Sequence, residues 1–335
     1  MPLGWYLAQG LIPLGESSSD DEEGPCELPD GRLVCGPHGL VICGKCCSDY
    51  SFMDDVLGED EDEETDDELK EVMDATWGPP GRRSQAQASN ESEASDSHIP
   101  KEFLGTPKRR GTGRVFPTKF NAPPSTRPED LFVGCPTYGN LSRYVRSDNP
   151  TQILIYTDGA CLNNGLPNPR AGWAFVHGPG THDQDLAHGL GTNGQPLIAS
   201  GRLERKGPFG ADSIQSSNRA ELRAVIAALR FRHWVGEGFS SVVFATDSEY
   251  VVEGCTNWAK SWIKRGWRTS AGQDVKNKDL WEMLLGESER WKDKGLSLEF
   301  WCIPREWNEV ADAAAKIAAT HDEVDQFMDV MGLCI

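Results

Sequence analysis

Two apolar runs, Ile153-Leu154-Ile155-Tyr156-Thr157 and Val242-Val243-Phe244-Ala245-Thr246, each lead directly into an aspartate, Asp158 and Asp247. Short, nearly continuous runs of this kind predict buried strands. An acid at the end of such a strand sits at a sheet edge, where other elements converge. Two further acids fall in the first turns of expected helices: Glu221, in a helix starting near Asn218, and Asp312, in one starting near Asn308. Two strand ends and two helix starts can meet at one point. Four carboxylates brought together do not all stay ionised without a counter-charge. For an all-oxygen site the usual counter-charge is a divalent cation such as magnesium, which points to phosphoryl chemistry.

The rest of the chain is organised around that segment. The net charge is -19, and residues 1–100 carry 24 of the 52 acidic residues but 5 of the 33 basic ones. All of the imbalance therefore lies N-terminally, and a low isoelectric point does not argue against a nucleic-acid partner. Residues 1–52 are Cys/Gly-rich. Residues 53–150 combine an acidic tract (54–74) with a Pro/Gly/Ser/Thr-rich stretch expected to be a disordered linker. Residues 151–321 hold nearly all the regular patterning, and 322–335 form a C-terminal tail. No stretch is long enough for a transmembrane helix, and the N-terminus lacks a basic start. The expectation is an intracellular protein, nuclear or cytoplasmic.

Within 151–321 the pattern predicts strands at 152–158, 171–177, 197–205, 241–246 and 296–302. Helices are predicted at 218–233, 248–256, 258–265, 277–293 and 308–320. Early strands on short loops suggest antiparallel neighbours, and later ones alternating with helices suggest parallel additions. The sum is a five-stranded mixed sheet flanked by helices.

Five segments carry a resemblance: YTDGACLNN (156–164), SNRAELRAVIAAL (217–229), TDSEYVV (246–252), WIKRGWRTSAGQDVKNKDLW (262–281) and NEVADAAAK (308–316). In this order they resemble the catalytic domain of the cellular type 1 ribonuclease H family, over about half the chain. The Cys-rich, acidic N-terminus is similar to what precedes such domains in filamentous-fungal proteins. The resemblance implies an α/β RNase H-like fold and an endonuclease that cuts the RNA strand of RNA–DNA hybrids, leaving 5′-phosphate and 3′-hydroxyl ends. It implies that Asp158, Glu221, Asp247 and Asp312 hold two magnesium (or manganese) ions, roughly 3.5–4 Å apart in such sites.

It also implies substrate contacts. Asn164 and Asn218 match positions that touch the RNA strand, whose 2′-hydroxyls distinguish it from DNA. Ser217 stands where the family often has an amide. Tyr250, Trp258 and Trp262 match positions lining the DNA channel, while Trp267 and Trp281 are expected in the core. Ser261, Thr269, Ser270 and Asn277 are polar candidates beside that channel. The handle with Lys260, Lys264, Arg265, Arg268, Lys276 and Lys278 is expected to meet phosphates. The loop before Asp312, Cys302-Ile303-Pro304-Arg305-Glu306-Trp307-Asn308, lacks the mobile histidine of well-known members, and Arg305 or Glu306 is the candidate substitute.

Outside the resemblance, Cys35, His38, Cys43 and Cys46 have a spacing that suits a structural zinc, against the alternative of unligated cysteines in a tail. That segment could also bind a protein partner, and the chain is expected to be monomeric. Lys108-Arg109-Arg110 is a weak nuclear-import pattern. Two other readings stay open at this level: a catalytically silent nucleic-acid binder, and a zinc-dependent partner-binding protein.

Overall fold

The computed structural model describes residues 12–13, 25–28, 32–35, 39–43, 48–50, 107–123, 125–137, 141–180, 195–270 and 272–332. Its centre is a long strand, Asn149–Leu162, labelled β4 because three shorter strands precede it in this unit: β1 (Thr118–Lys119), β2 (Phe132–Pro136) and β3 (Ser142–Arg146). Strands β5 (Arg170–Gly178), β6 (Leu197–Arg202), β7 (Ser241–Thr246) and β8 (Ser297–Cys302) complete an eight-stranded sheet. The order is β6-β5-β4-β7-β8-β1, with the hairpin β2-β3 joined to the first part of β4. β4 and β6 each pair antiparallel with β5, which lies between them; β7 and β8 run parallel to β4. The five expected strands and their mixed pairing are present.

Helices lie on both sides. The short helix α1 (Pro128–Leu131) leads into β2, and α2 (Ser217–Phe231) is capped by Ser216, whose hydroxyl accepts from the Arg219 N–H. After β7, the chain continues as α3 (Glu249–Glu253), a π-helical turn (Gly254–Trp258) and α4 (Ala259–Lys264), one path where sequence suggests two helices. α5 (Lys278–Asp293) and α6 (Glu309–Ala318) follow. α2 packs on β4 and β5 and, by its other side, on α5; α6 packs on β4, β5 and β6.

Two glycines set how closely these helices approach. Along β4, side chains alternate: Ile153 and Ile155 face the core with α2, whereas Leu154 and Ala160 face the other way. Gly159 faces α2, and a Cβ there would lie 2.1 Å from the backbone nitrogen of Glu221. On the other side, a Cβ on Gly172 would lie 2.3 Å from the nitrogen of Ala319, just beyond α6. Bare backbone at both points lets a helix settle onto the sheet beside Asp158. Gly159→Ala is expected to push α2 outward, lowering the thermal midpoint by several degrees and removing the hybrid cleavage that the resemblance implies. Unchanged activity would show that the close approach is unnecessary.

The expected boundary at residue 151 needs correction. The described residues of 107–150, assigned by composition to a disordered linker, form a strap and a layer of the domain. Arg109 donates to the Gly286 carbonyl, and Glu289 accepts from the Thr112 N–H and hydroxyl at 2.7 and 2.8 Å. Phe120 and Phe132 are buried with Leu154, Val243, Ala245, Trp301 and Ile303, covering a sheet face that α6 does not reach. The three basic residues of the import-like pattern are engaged too: Lys108 donates to Phe327 O, and Arg110 pairs with Glu282. The tail also packs, with Phe327 buried and Asp329 bound to Arg230 at 2.7 Å. Composition missed both because few apolar anchors suffice when their partners are already laid out by a sheet. The acidic tract lies outside the described residues. So do His38 and Cys46, and Cys43 is described in its backbone alone, so the zinc quartet is untested; Cys35 is buried.

Candidate active site

The strand register explains why Asp158 and Asp247 meet. β7 pairs in parallel with β4 up to Tyr156 opposite Ala245, so Asp158 and Asp247 stand at the same level two residues further on. β7 ends there, but β4 does not. It continues to Leu162, paired with β5, so Asp158 sits inside a strand rather than at its end. The effect is the same, because the edge that matters is the carboxyl end of the parallel β4–β7 pair, where α/β sheets place their ligands. Glu221 arrives from α2 over Gly159.

Asp158, Glu221 and Asp247 each offer a carboxylate oxygen, and these oxygens lie within 4.8 Å of one another. Asp312 stands at the margin of this trio. It accepts from Arg305 at 2.9 Å and from Lys316 at 2.7 Å, and its charge is felt by Asp158. Burial, then the charges of Asp247 and Asp312, push the Asp158 carboxyl well above the usual range. Burial, then Asp158 and Asp247, do the same to Glu221, although the Gly159 N–H binds the charged form. Partial burial works against the charge on Arg305, but Asp247, Asp312 and Asp158 outweigh it and hold the guanidinium charged.

This donor set suits a hard divalent cation: three carboxylates, no sulfur, and one buried oxygen, Oε2 of Glu221, with no hydrogen-bond partner. A buried acceptor left unpaired is costly unless something occupies the space before it. Sequence reasoning missed one residue here. Asn308, 1% exposed, donates from Nδ2 to Asp247 Oδ1 at 2.8 Å, to the Thr157 carbonyl at 3.0 Å and to Asp158 Oδ1 at 3.3 Å. It was visible only as the start of a helix.

The candidate substrate residues separate into two groups. Asn164, Ser217 and Asn218 come together beside Glu221. Asn164 Nδ2 donates to Ser217 Oγ at 3.0 Å, fastening the loop after β4 to the start of α2. The aromatic group is different. Trp258 and Trp262 are 7% and 2% exposed, and both belong with Tyr250 and Trp281 to the main hydrophobic core. The π turn explains it: its extra residue takes up roughly 100° of rotation, leaving positions 250, 258 and 262 on one face of the path. A bulky apolar stripe so aligned packs inward. The residues expected along the DNA channel thus form a buried aromatic layer, with Trp258 against Trp262 at 5.9 Å and Trp262 edge-on to Trp281 at 5.5 Å.

The polar candidates are likewise tied into the fold. Tyr250 Oη accepts from Trp281 Nε1 at 3.0 Å and from Asn277 Nδ2 at 3.2 Å, and Thr269 is buried with its hydroxyl accepting from the Gln273 N–H. Ser261 is half-buried on α4. Trp267, expected in the core, is half-buried against it, with Lys278 over its ring at 5.7 Å. Trp262→Ala is expected to cost about 3–5 kcal/mol of stability, measured as a shifted urea midpoint, while the KM for the hybrid that the resemblance implies changes less than twofold. A large KM change at unchanged stability would return Trp262 to the groove.

Comparison with known proteins agrees with this geometry. The RNase H family profile matches residues 150–319. The ribonuclease H of Treponema pallidum subsp. pallidum is 39% identical over 171 residues, covering 50% of this chain and 90% of that protein. The ribonuclease H of Chromohalobacter salexigens is 35% identical over 177 residues, covering 52% and 86%. The ribonuclease H1 of Mus musculus is 30% identical over 264 residues, covering 77% and 78%.

Proposed function

The chain belongs to the RNase H family and is an endoribonuclease acting on RNA–DNA hybrids, and from that premise we propose that Asp158, Glu221 and Asp247, with Asp312 at their margin, are where the RNA strand is cut. One observation carries the reading: three carboxylate oxygens within 4.8 Å, one of them from Glu221, whose Oε2 is buried without a hydrogen-bond partner. A divalent cation held by these residues, magnesium or manganese, would polarise the scissile phosphoryl group and activate the attacking water. Asp312 would join a second cation by giving up Arg305 or Lys316.

The protein's own residues do the remaining work. Asn164, Ser217 and Asn218 lie beside Glu221, and they would meet the 2′-hydroxyls that identify RNA. The Asn164–Ser217 bond sets the spacing of that reading surface before substrate arrives. Arg305, held charged by the carboxylates around it, supplies the positive group that the loop has in place of a histidine. It can stabilise charge leaving the phosphate but, always protonated, it does not act as a base. The handle from Lys260 to Lys278 would guide the DNA strand through phosphate contacts.

The test is a cleavage assay on matched RNA–DNA, RNA–RNA and DNA–DNA duplexes, with magnesium and with chelator. The expected result is cutting of the hybrid alone, only with the cation, leaving 5′-phosphate ends. Equal cutting of RNA–RNA, or cutting that survives chelation, would overturn the assignment.

A further inference from the structure

We propose that Asn308 is a positioning residue that holds Asp158 and Asp247 at the separation a divalent cation needs; this rests on the reading of those carboxylates as a cation site. Asn308 occupies the N-cap position of α6, where asparagine is among the preferred residues because its side chain can accept a helix N–H. It makes no such capping bond here. Its amide is turned the other way, to β4 and to the residue after β7.

The chemistry of the amide explains the choice. Nδ2 carries two hydrogens, and three acceptors surround it: Asp247 Oδ1, the Thr157 carbonyl and Asp158 Oδ1. Reversing the amide would aim its oxygen at two carboxylates, so their charge fixes its orientation. Two carboxylate oxygens are thus bridged by one neutral donor, and that neutrality matters. A lysine or arginine at 308 would bring the same oxygens together but cancel the negative field that draws a cation. An aspartate would add to the repulsion. The amide draws the pair together and leaves their charge in place.

The position is also rigid. Asn308 is almost fully buried, it follows the 3₁₀ turn Arg305–Trp307, and its carbonyl accepts the Asp312 N–H at 3.0 Å. The residue that ties Asp158 to Asp247 therefore also starts the turn that presents Asp312. Its own Oδ1 is buried and unpartnered, a penalty the fold accepts to keep the two N–H groups on the carboxylates and the Thr157 carbonyl. Groups that orient metal ligands typically govern affinity by about 10–100-fold when lost.

The experiment uses the full chain, Mn2+ as probe, and calorimetry or Mn2+ paramagnetic resonance without nucleic acid. Asn308→Leu keeps a similar volume and removes the donors; Asn308→Ser keeps one donor and carries the test if the leucine variant does not fold. Expected is Mn2+ affinity at least about tenfold weaker for Leu and an intermediate loss for Ser. The KM for hybrid at saturating Mn2+ should stay within twofold. A variant that binds Mn2+ as tightly as the parent would overturn the role of Asn308. A parent chain that binds no Mn2+ would instead overturn the cation site itself.

Discussion

Asp247→Asn is expected to leave a folded protein whose hybrid cleavage falls by about a thousandfold or more. Losing several kcal/mol of transition-state stabilisation at a cation site corresponds to that factor. The same change should raise the thermal stability of the cation-free protein. Asp158 and Glu221 have folded pKa values raised above their unfolded ones, by burial and then by neighbouring carboxylates. Between the ordinary carboxylate range and those raised values, the folded state keeps protons that the unfolded state releases, so stability falls as pH rises through that window. Removing the Asp247 charge relieves part of this. The difference in thermal midpoint between Asp247→Asn and the parent, in chelator, should therefore be small near pH 4 and grow towards pH 8. Added Mg2+ should stabilise the parent and not the variant. If the variant is less stable at every pH, the cluster is not electrostatically strained.

Cutting the chain at residue 150 is expected to abolish folding, whereas cutting at residue 106, which removes Leu33 and Tyr50 from the edge of the core, should leave a less stable but folded domain that still cleaves. The segment matched by the family profile starts at residue 150, so the first cut isolates it. What it removes is Phe120 and Phe132, both buried against β4, β7 and β8, and the N–H and hydroxyl groups that bind the buried Glu289 carboxylate. Loss of a buried phenylalanine costs about 3–5 kcal/mol, and two of them approach the whole stability of a typical domain, about 5–15 kcal/mol. Arg143, which pairs with Glu237 at 3.0 Å, is lost as well. Circular dichroism and urea titration of the two fragments distinguish the outcomes. A cooperatively folded 151–335 fragment would show that the strap is an ornament.

The strap shows where sequence stops being informative. Strands β4 and β7 and helices α2 and α5 are legible because hydrophobic runs and periods are local properties, set by which faces each element must bury. Phe120 and Phe132 stand in a stretch of Pro, Gly and Thr with no period of its own. Their burial depends on a face formed by Leu154, Val243 and Trp301, and nothing near residue 120 records that the face is vacant. Trp258 and Trp262 show the converse. Their spacing was visible, but which side of the path they occupy depended on a single π turn.

The sequence by itself determined which carboxylates could meet. An acid after a buried run is carried to the sheet edge by the run's own burial, and the order of segments supplied the likeness to ribonuclease H. The tertiary structure decided how they meet. It drew Asp158, Glu221 and Asp247 into one cluster, left Asp312 bound to Arg305 and Lys316, and turned Asn308 from a helix cap into a bridge between strands. The reason is physical. Burial pattern is encoded residue by residue along the chain, but a hydrogen bond between residues 150 positions apart exists only once the sheet register and both helix approaches are fixed.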